Sequence, residues 1–204
     1  MIRKAISLKN LFREFYFVQR YNFEMRSNMN EKQKFLQQLW EEHIKHEFAT
    51  RNTPDTLNTM VDDAYVNHIP VMTGGVGKEE LLEFYSKRFI NQMPPDTEMT
   101  PISRTIGDDQ LVDEMVFKFT HSIRMDWMLP GIAPTGKRIE VPLVAIVKFR
   151  NGKLAHEHIY WDQASVMVQL GLLDASRLPA VGIESARKAL DPKLPSNTLM
   201  MRKD

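Results

Sequence analysis

Cysteine is absent from this chain of 204 residues. That absence excludes a disulfide framework, a thiol nucleophile and every zinc or iron–sulfur site that needs cysteine ligands. Long apolar runs are missing as well: no stretch approaches the roughly 20 residues that cross a bilayer, and the mean hydropathy is −0.37. The sequence therefore predicts a protein without an integral membrane segment.

An excess of charge of one sign is also missing. Lysine and arginine number 27 and aspartate and glutamate 26, which gives a formal net charge of +1 at pH 7. A nearly neutral chain argues against nucleic-acid binding through bulk charge, so we expect a small molecule as the partner and no nucleic acid. The length suits one domain with one core.

The segment 1–28 differs in character from the rest of the chain. It carries six basic and two acidic side chains and a dense set of phenylalanines and tyrosines, but no apolar region typical of a secretory signal. Three interpretations stay open: a basic aromatic helix that rests on a membrane or a partner, an organelle transit peptide, and an extension upstream of a natural start at Met29. We favour the extension and a cytoplasmic protein, because a capped amphipathic helix is predicted to begin just after Asn30.

Two hydrophobic periods divide the remaining chain. Helical spacing predicts helices over 30–50, 54–65 and 78–93, with a glycine-rich turn at 73–77. Alternation of apolar and polar residues then predicts strands over 98–106, 115–127, 139–149 and 153–162, followed by a helix over 163–170 that ends at Gly171. The pair Asn151-Gly152 is typical of a tight hairpin. Helices gathered ahead of consecutive strands favour an α+β fold with an antiparallel sheet.

The last predicted strand carries an unusual row of polar side chains. Period-two alternation places on one face His156, His158, Tyr160 and Asp162, and on the other face Glu157, Ile159, Trp161 and Gln163. If the first face lines a cavity, it forms an acid/base wall, whereas a solvated face would be an ordinary polar exterior. Since neither face has the composition of plain core, we predict a pocket on one side of the sheet and a partner surface on the other.

Other histidines allow two interpretations each. His121 lies on the apolar face of its predicted strand, as a satisfied core histidine or as part of a polar hole. His68 follows the second predicted helix, either on the surface or at the mouth of a cavity. His43 and His46 lie beside acidic residues on the first helix, where a solvated face is the better interpretation than a metal site, and they receive no role. No metal site and no cofactor is predicted.

Familiar catalytic motifs are missing. The sequence contains no Walker A loop, no GxGxxG, no HExxH and no GxSxG, so nucleotide chemistry and serine hydrolysis are unsupported.

Several short sequence motifs, in their order along the chain, resemble those of a known protein family. These are the turn Pro130-Gly131-Ile132-Ala133-Pro134-Thr135-Gly136-Lys137-Arg138, the strand Ile139-Glu140-Val141-Pro142, and the ending Trp161-Asp162-Gln163 with Val168-Gln169-Leu170-Gly171-Leu172. Over roughly 30–174 the chain resembles the SnoaL-like polyketide cyclases of the nuclear transport factor 2-like superfamily. The resemblance implies helices packed on a strongly curved sheet that forms a cone with an internal apolar cavity, and a homodimer. It implies a domain at 29–175, with 1–28 as an extension and 176–204 as a peripheral tail.

The resemblance also implies a chemistry. In catalytic members of the family an aspartate on the last strand moves protons in a ring closure without a cofactor, and this position matches Asp162; His68 likewise matches a family histidine. We therefore expect an acid/base enzyme of cyclase, isomerase or hydratase type acting on a small apolar carbonyl compound. The expected catalytic residues are Asp162, His158, Tyr160, His121 and His68, and the expected substrate contacts are His156, Trp127, Met125 and Phe119. The alternatives are a non-catalytic ligand-binding or dimeric interaction module of the same fold and, more weakly, a lactone or ester hydrolase.

Overall fold

A computed structural model describes residues 29–202 of the chain. The helices are α1 (Glu31–Ile44), α2 (Thr53–Asn58), α3 (Gly77–Glu83), α4 (Gln163–Leu170) and α5 (Glu184–Leu190). A wider π-helical turn extends α1 over Lys45–Ala49, and another extends α3 over Phe84–Phe89. Short 3₁₀ turns lie at Ile90–Gln92, Ala175–Arg177 and Thr198–Met201. No helix within this part of the chain is both long and apolar enough to span a membrane.

Six strands form one curved, open sheet. They are β1 (Met60–His68), β2 (Thr73–Val76), β3 (Glu98–Ile106), β4 (Gln110–Thr120), β5 (Arg138–Arg150) and β6 (Lys153–Trp161), in the spatial order β2-β1-β6-β5-β4-β3. Every neighbouring pair is antiparallel except β1 and β6, which are parallel. The predicted α+β class, with helices on a curved and mostly antiparallel sheet, is confirmed.

The core lies between the helices and the inner face of the sheet. Along β5 buried and half-buried residues alternate strictly, from Ile139 on the inner face to Phe149, as expected for a strand with one face on a core. From α1, Leu36 and Trp40 pack into the same cluster. The predicted start of α1 is also confirmed, since Asn30 accepts from the backbone N–H of Gln33 at 2.9 Å and forms a capping box with it.

Two predicted elements are shorter than their periodicity suggested. The helix predicted over 54–65 ends at Asn58, and β1 begins at Met60. Apolar residues at 60, 61, 64 and 66 fit both the helical and the strand period. Parallel pairing with β6 stabilises the strand here. The strand predicted over 115–127 ends at Thr120. The chain then leaves the sheet, and Met125 and Trp127 are buried in the core. Side-chain alternation there continued into a loop.

The turn predicted at 73–77 contains the edge strand β2. Gly74 lies opposite Asn67 of β1 with φ +143°, and a Cβ there would lie 1.9 Å from the carbonyl oxygen of Val66. Only glycine fits this close crossing. The hairpin predicted at Asn151-Gly152 joins β5 and β6, and the helix predicted over 163–170 is α4, which ends at Gly171 with φ 70°.

The chain beyond Asp174 is tied to the sheet. The hydroxyl of Ser165 in α4 donates to the carbonyl of Gly182 at 2.6 Å, and Ala186 of α5 is completely buried. Helix α5 contacts β5 and β4. These contacts hold the segment from Gly182 through α5 against the domain.

Candidate active site

A pocket lies between α1, α3 and the inner face of the sheet. Its volume is about 50 Å³. Its lining is mostly apolar and aromatic, with Glu47, His68, Tyr85 and Glu157 as the polar exceptions, and it contains no lysine or arginine. The aromatic lining residues are Trp40, Phe48, Phe84, Tyr85, Phe89, Phe117 and Trp127. A polar group inside this pocket is therefore surrounded by apolar surface, which strengthens its electrostatic interactions.

Four buried polar side chains meet at one wall of this pocket. His43 and Glu47 lie four residues apart on the buried stripe of α1, Glu157 comes from β6 and Tyr85 from the extension of α3. His43 Nε2 lies 3.2 Å from Glu47 Oε1 and 3.1 Å from Glu157 Oε1. The hydroxyl of Tyr85 donates to Glu157 Oε1 at 3.2 Å. We call these four residues the His43 cluster.

The hydrogen bonds fix the protons on His43. Thr59 Oγ1 donates to the carbonyl of Thr56 at 2.6 Å, so it accepts from His43 Nδ1–H, also at 2.6 Å. Nε2 then points at the two carboxylates. Burial by itself lowers the pKa of His43, but the charges and hydrogen bonds of Glu47 and Glu157 outweigh it and raise the pKa to about 10. His43 is thus an imidazolium at neutral pH.

One imidazolium faces two carboxylates in this cluster. Burial raises the pKa of Glu47, although the charge of His43 opposes the shift. Burial and the charges of Glu157 and Glu47 raise the pKa of Tyr85 well above its usual value, so its hydroxyl stays protonated and available as a donor. The cluster therefore combines a proton acceptor, a fixed positive charge and a neutral donor at the pocket wall.

His68 lines the same pocket, but its pKa is shifted in the direction opposite to that of His43. Thr73 Oγ1 donates to the carbonyl of Trp127 at 2.6 Å and so accepts from His68 Nδ1–H at 3.0 Å, which leaves a lone pair on Nε2. Burial, opposed by the charge of Glu157, lowers the pKa of His68 to about 4. Four rings surround its imidazole at centroid distances of 5.4–5.7 Å: Phe84, Phe89, Trp127 and Trp161. At neutral pH it is an uncharged acceptor.

These proton positions give a direct spectroscopic prediction. At pH 7.5 we expect the side-chain ¹⁵N shifts of His43 to be those of an imidazolium, and those of His68 to be those of the neutral tautomer protonated on Nδ1. Long-range ¹H–¹⁵N correlation spectra would measure both, with His43→Gln and His68→Gln used to assign the signals. A neutral His43 at this pH would contradict the cluster as described.

The structure brings some predicted site residues to the pocket and places others elsewhere. His68 and Trp127 line it. Phe119 and Met125 are completely buried in the core but are not among the lining residues. His121 is also completely buried, with Nδ1 3.3 Å from Thr135 Oγ1 and Nε2 without a hydrogen-bond partner. It is not among the residues that line the pocket.

The polar row of β6 lies on the other side of the sheet. His156, His158 and Tyr160 face away from the pocket, where the ring of Tyr65 stacks on His156 at 4.9 Å. Asp162 is exposed and caps α4, since its Oδ1 accepts from the backbone N–H of Ser165 at 3.1 Å. The structure does not bring Asp162 into the pocket. The alternation predicted on β6 is correct, but Glu157, Ile159 and Trp161 form the inward face.

Sequence reasoning missed most of the His43 cluster. The acidic neighbours of His43 predict a solvated helical face, and no sequence pattern assigns a role to Glu47, Tyr85 or Glu157. One signal was available: positions 36, 40, 43 and 47 follow helical spacing, so His43 and Glu47 extend the stripe that Leu36 and Trp40 bury. Charged residues on such a stripe must find partners inside the fold.

The same residues offer ligands for a metal ion. One nitrogen of His43 and one oxygen each of Glu47 and Glu157 lie within 4.8 Å of one another, and all three residues are buried. An imidazole and two carboxylates suit a divalent transition metal. The metal would have to displace the proton on His43 Nε2, which the two carboxylates stabilise.

One family model and several solved structures match this chain. The family model described as SnoaL-like polyketide cyclase matches residues 34–170. Among solved structures, a putative SnoaL-like polyketide cyclase from Jannaschia sp. CCS1 has a TM-score of 0.56 at 16% identity, covering 72% of this chain and 99% of that one. TsrD from Streptomyces laurentii has a TM-score of 0.55 at 19% identity, covering 72% and 100%. AclR, a putative hydroxylase from Streptomyces galilaeus, has a TM-score of 0.52 at 17% identity, covering 68% and 96%. No curated protein matches the chain.

Proposed function

The chain belongs to the SnoaL-like polyketide cyclase family, and from that premise we propose that it is an acid/base enzyme acting on a small neutral carbonyl compound in the pocket, without a cofactor. The observation that carries the proposal is the His43 cluster, in which a carboxylate, an imidazolium and a phenol meet at the wall of an apolar pocket. The proton-transfer group is Glu157 rather than Asp162, because Glu157 lines the pocket and Asp162 does not.

Each residue of the cluster has a distinct part in the proposed reaction. The ion pair with His43 and the hydrogen bond from Tyr85 both engage Oε1 of Glu157, and Oε2 takes a proton from the carbon next to the substrate carbonyl. As negative charge develops on the carbonyl oxygen of the substrate, the phenol of Tyr85 transfers its single hydrogen bond from Glu157 Oε1 to that oxygen. The positive charge of His43, which lies beside Glu157, stabilises the same negative charge electrostatically. His68 Nε2 accepts a second hydrogen bond from the substrate and orients it.

The charges of the pocket select against anionic substrates. Two carboxylates face one imidazolium, and no lysine or arginine lines the pocket. A carboxylate or phosphate entering this apolar space would lose its hydration without gaining a cation. A neutral carbonyl compound meets no such penalty.

The experiment is exchange of α-hydrogens in deuterium oxide, followed by ¹H NMR with 2-butanone and cyclohexanone as probes. We expect the wild-type protein to accelerate exchange, and Glu157→Gln to slow it by about 10²–10³-fold. Tyr85→Phe removes one donor and is expected to reduce the rate less. Asp162→Asn is the matched control, which should retain the wild-type rate within about twofold.

Two results would overturn this proposal in different ways. Saturable ketone binding with no exchange above that of a buffer blank would favour a non-catalytic ligand-binding module of the same fold. A stoichiometric divalent metal in the purified protein, whose removal abolishes exchange, would instead assign the His43 cluster to a metal. The homodimer and the roles of 1–28 stay predictions.

A further inference from the structure

A second depression adjoins the pocket at the edge of the sheet. It lies between α1 and strands β3 and β4, and its volume is about 240 Å³. Its lining residues are Glu41, Ile44, Met99, Pro101, Arg104, Asp113 and Met115. Three of these, Ile44, Met99 and Met115, also line the inner pocket. The two spaces thus share an apolar boundary formed by these three side chains, and we call the outer one the edge groove.

The polar residues of the edge groove form hydrogen bonds with one another. Arg104 donates to both carboxylate oxygens of Asp113, at 3.1 and 2.6 Å, and to Glu41 at 3.1 Å. Trp40 Nε1 donates to Asp113 at 3.0 Å. This network clamps α1 to β3 and β4, and it holds Trp40, whose ring stacks on His43 at 5.6 Å. It forms the polar rim of the groove, and Ile44, Met99, Pro101 and Met115 form the apolar floor.

The backbone of β3 explains why the groove stays open. Strand β3 is the edge of the sheet, and its pairing with β4 shifts register between Pro101 and Ser103. Proline at an edge-strand bulge lacks an N–H to pair and bends the strand. The bend falls where the groove lies. Methionine side chains are flexible enough to rearrange around a ligand that passes between the two spaces.

The sizes of the two spaces define the ligand. About 50 Å³ holds the equivalent of roughly three to five water molecules, at 10–15 Å³ each. A carbonyl group and its nearest carbons fill that space, and any further part of the molecule must leave it past Met99 and Met115. We infer that the substrate is an elongated molecule whose carbonyl end enters the inner pocket and whose apolar tail lies in the edge groove.

This inference rests on the proposed function for the carbonyl end, but it is tested by binding alone. Isothermal titration calorimetry with straight-chain 2-alkanones, from 2-butanone to 2-nonanone, measures affinity against chain length. We expect the dissociation constant to fall about two- to fourfold for each methylene that enters the groove, since burial of one methylene contributes about 0.8 kcal/mol. An affinity that stops improving beyond the shortest ketones would overturn the inference.

A variant at the junction makes the test specific. Met99 is half-buried, so Met99→Trp has room to fold, and its indole would fill the passage. We expect the affinity of this variant for 2-alkanones to be nearly independent of chain length, whatever its affinity for 2-butanone. Met200→Trp, at a residue 80% exposed and outside the groove, is the matched control. An unchanged chain-length dependence in Met99→Trp would contradict the assignment.

The outcomes separate this inference from the proposed function. If the dissociation constant depends on chain length but α-hydrogen exchange is not accelerated, the elongated ligand is supported and the proposed catalysis is contradicted. If the protein accelerates exchange with short ketones but the dissociation constant does not depend on chain length, the edge groove is not a subsite. If Met99→Trp proves unfolded by circular dichroism, Met99→Phe replaces it with the same expected flattening.

Discussion

Replacing His43 with glutamine is expected to lower the free energy of unfolding at pH 8 by about 3–5 kcal/mol. The substitution removes the imidazolium that lies 3.2 Å from Glu47 and 3.1 Å from Glu157, and both carboxylates are almost completely buried. Two carboxylates then face each other in an apolar environment without a cation. Glu47, whose pKa burial already raises, must then take up a proton, which becomes more costly as the pH rises above the usual carboxyl pKa.

Urea unfolding at pH 8 and pH 5 measures this prediction. The pKa of His43 is raised to about 10 from 6.5, so in the wild type its contribution is complete below about pH 6.5 and is lost as the pH rises towards 10. In His43→Gln the buried carboxyl of Glu47 is protonated at a lower free-energy cost at pH 5 than at pH 8, so the difference in stability from the wild type is expected to be smaller at pH 5. The double variant His43→Gln with Glu47→Gln removes one carboxylate and should recover much of the loss at pH 8. Equal stability of the single variant and the wild type at pH 8 would contradict the ion cluster.

Acidification from pH 6.5 to pH 4 is expected to cost the wild type about 3 kcal/mol more than it costs His68→Gln. The pKa of His68 is lowered to about 4 in the folded protein, against 6.5 in the unfolded chain. Between these values the unfolded chain binds the proton and the folded protein does not, so folding becomes less favourable as the pH falls. The glutamine variant has no such group.

The comparison of the two proteins isolates His68, because the surface carboxylates titrate alike in both. The measurement is the free energy of unfolding in urea at half-unit steps of pH, expressed as the difference between variant and wild type. That difference should be steepest between about pH 4 and pH 6.5 and level outside this window. Parallel curves would indicate that the aromatic surroundings of His68 admit its charged form.

Together these two histidines relate stability to the proposed chemistry. His43 favours the folded state when it is charged and His68 favours it when it is neutral, so both requirements are met near pH 6.5. The same protonation states leave a lone pair on His68 Nε2 and a positive charge beside Glu157. The protein is therefore expected to be most stable in the state that the proposed reaction uses.

Periodicity predicted the fold well where a segment had one consistent pattern. Helix α1, the hairpin at Asn151-Gly152 and helix α4 follow directly from apolar spacing, turn chemistry and the terminal glycine at 171. It failed over 60–66, where apolar residues suit both periods and pairing with β6 decides. It also failed over 121–127, where alternation continues although the backbone has left the sheet.

Alternation along β6 is local geometry, so the order of its residues is enough to show which of them share a face. The order of residues did not determine which face is turned inward. That choice depends on apolar area summed over neighbouring strands, where Ile159 and Trp161 lie beside Ala145 and Leu143 of β5. Glu157 lies on the same face and is buried with them, whereas Asp162 remains exposed at the end of the strand. The meeting of Glu157 with His43 and Tyr85 joins elements far apart in the chain, and only the packing of helices against the curved sheet brings them together.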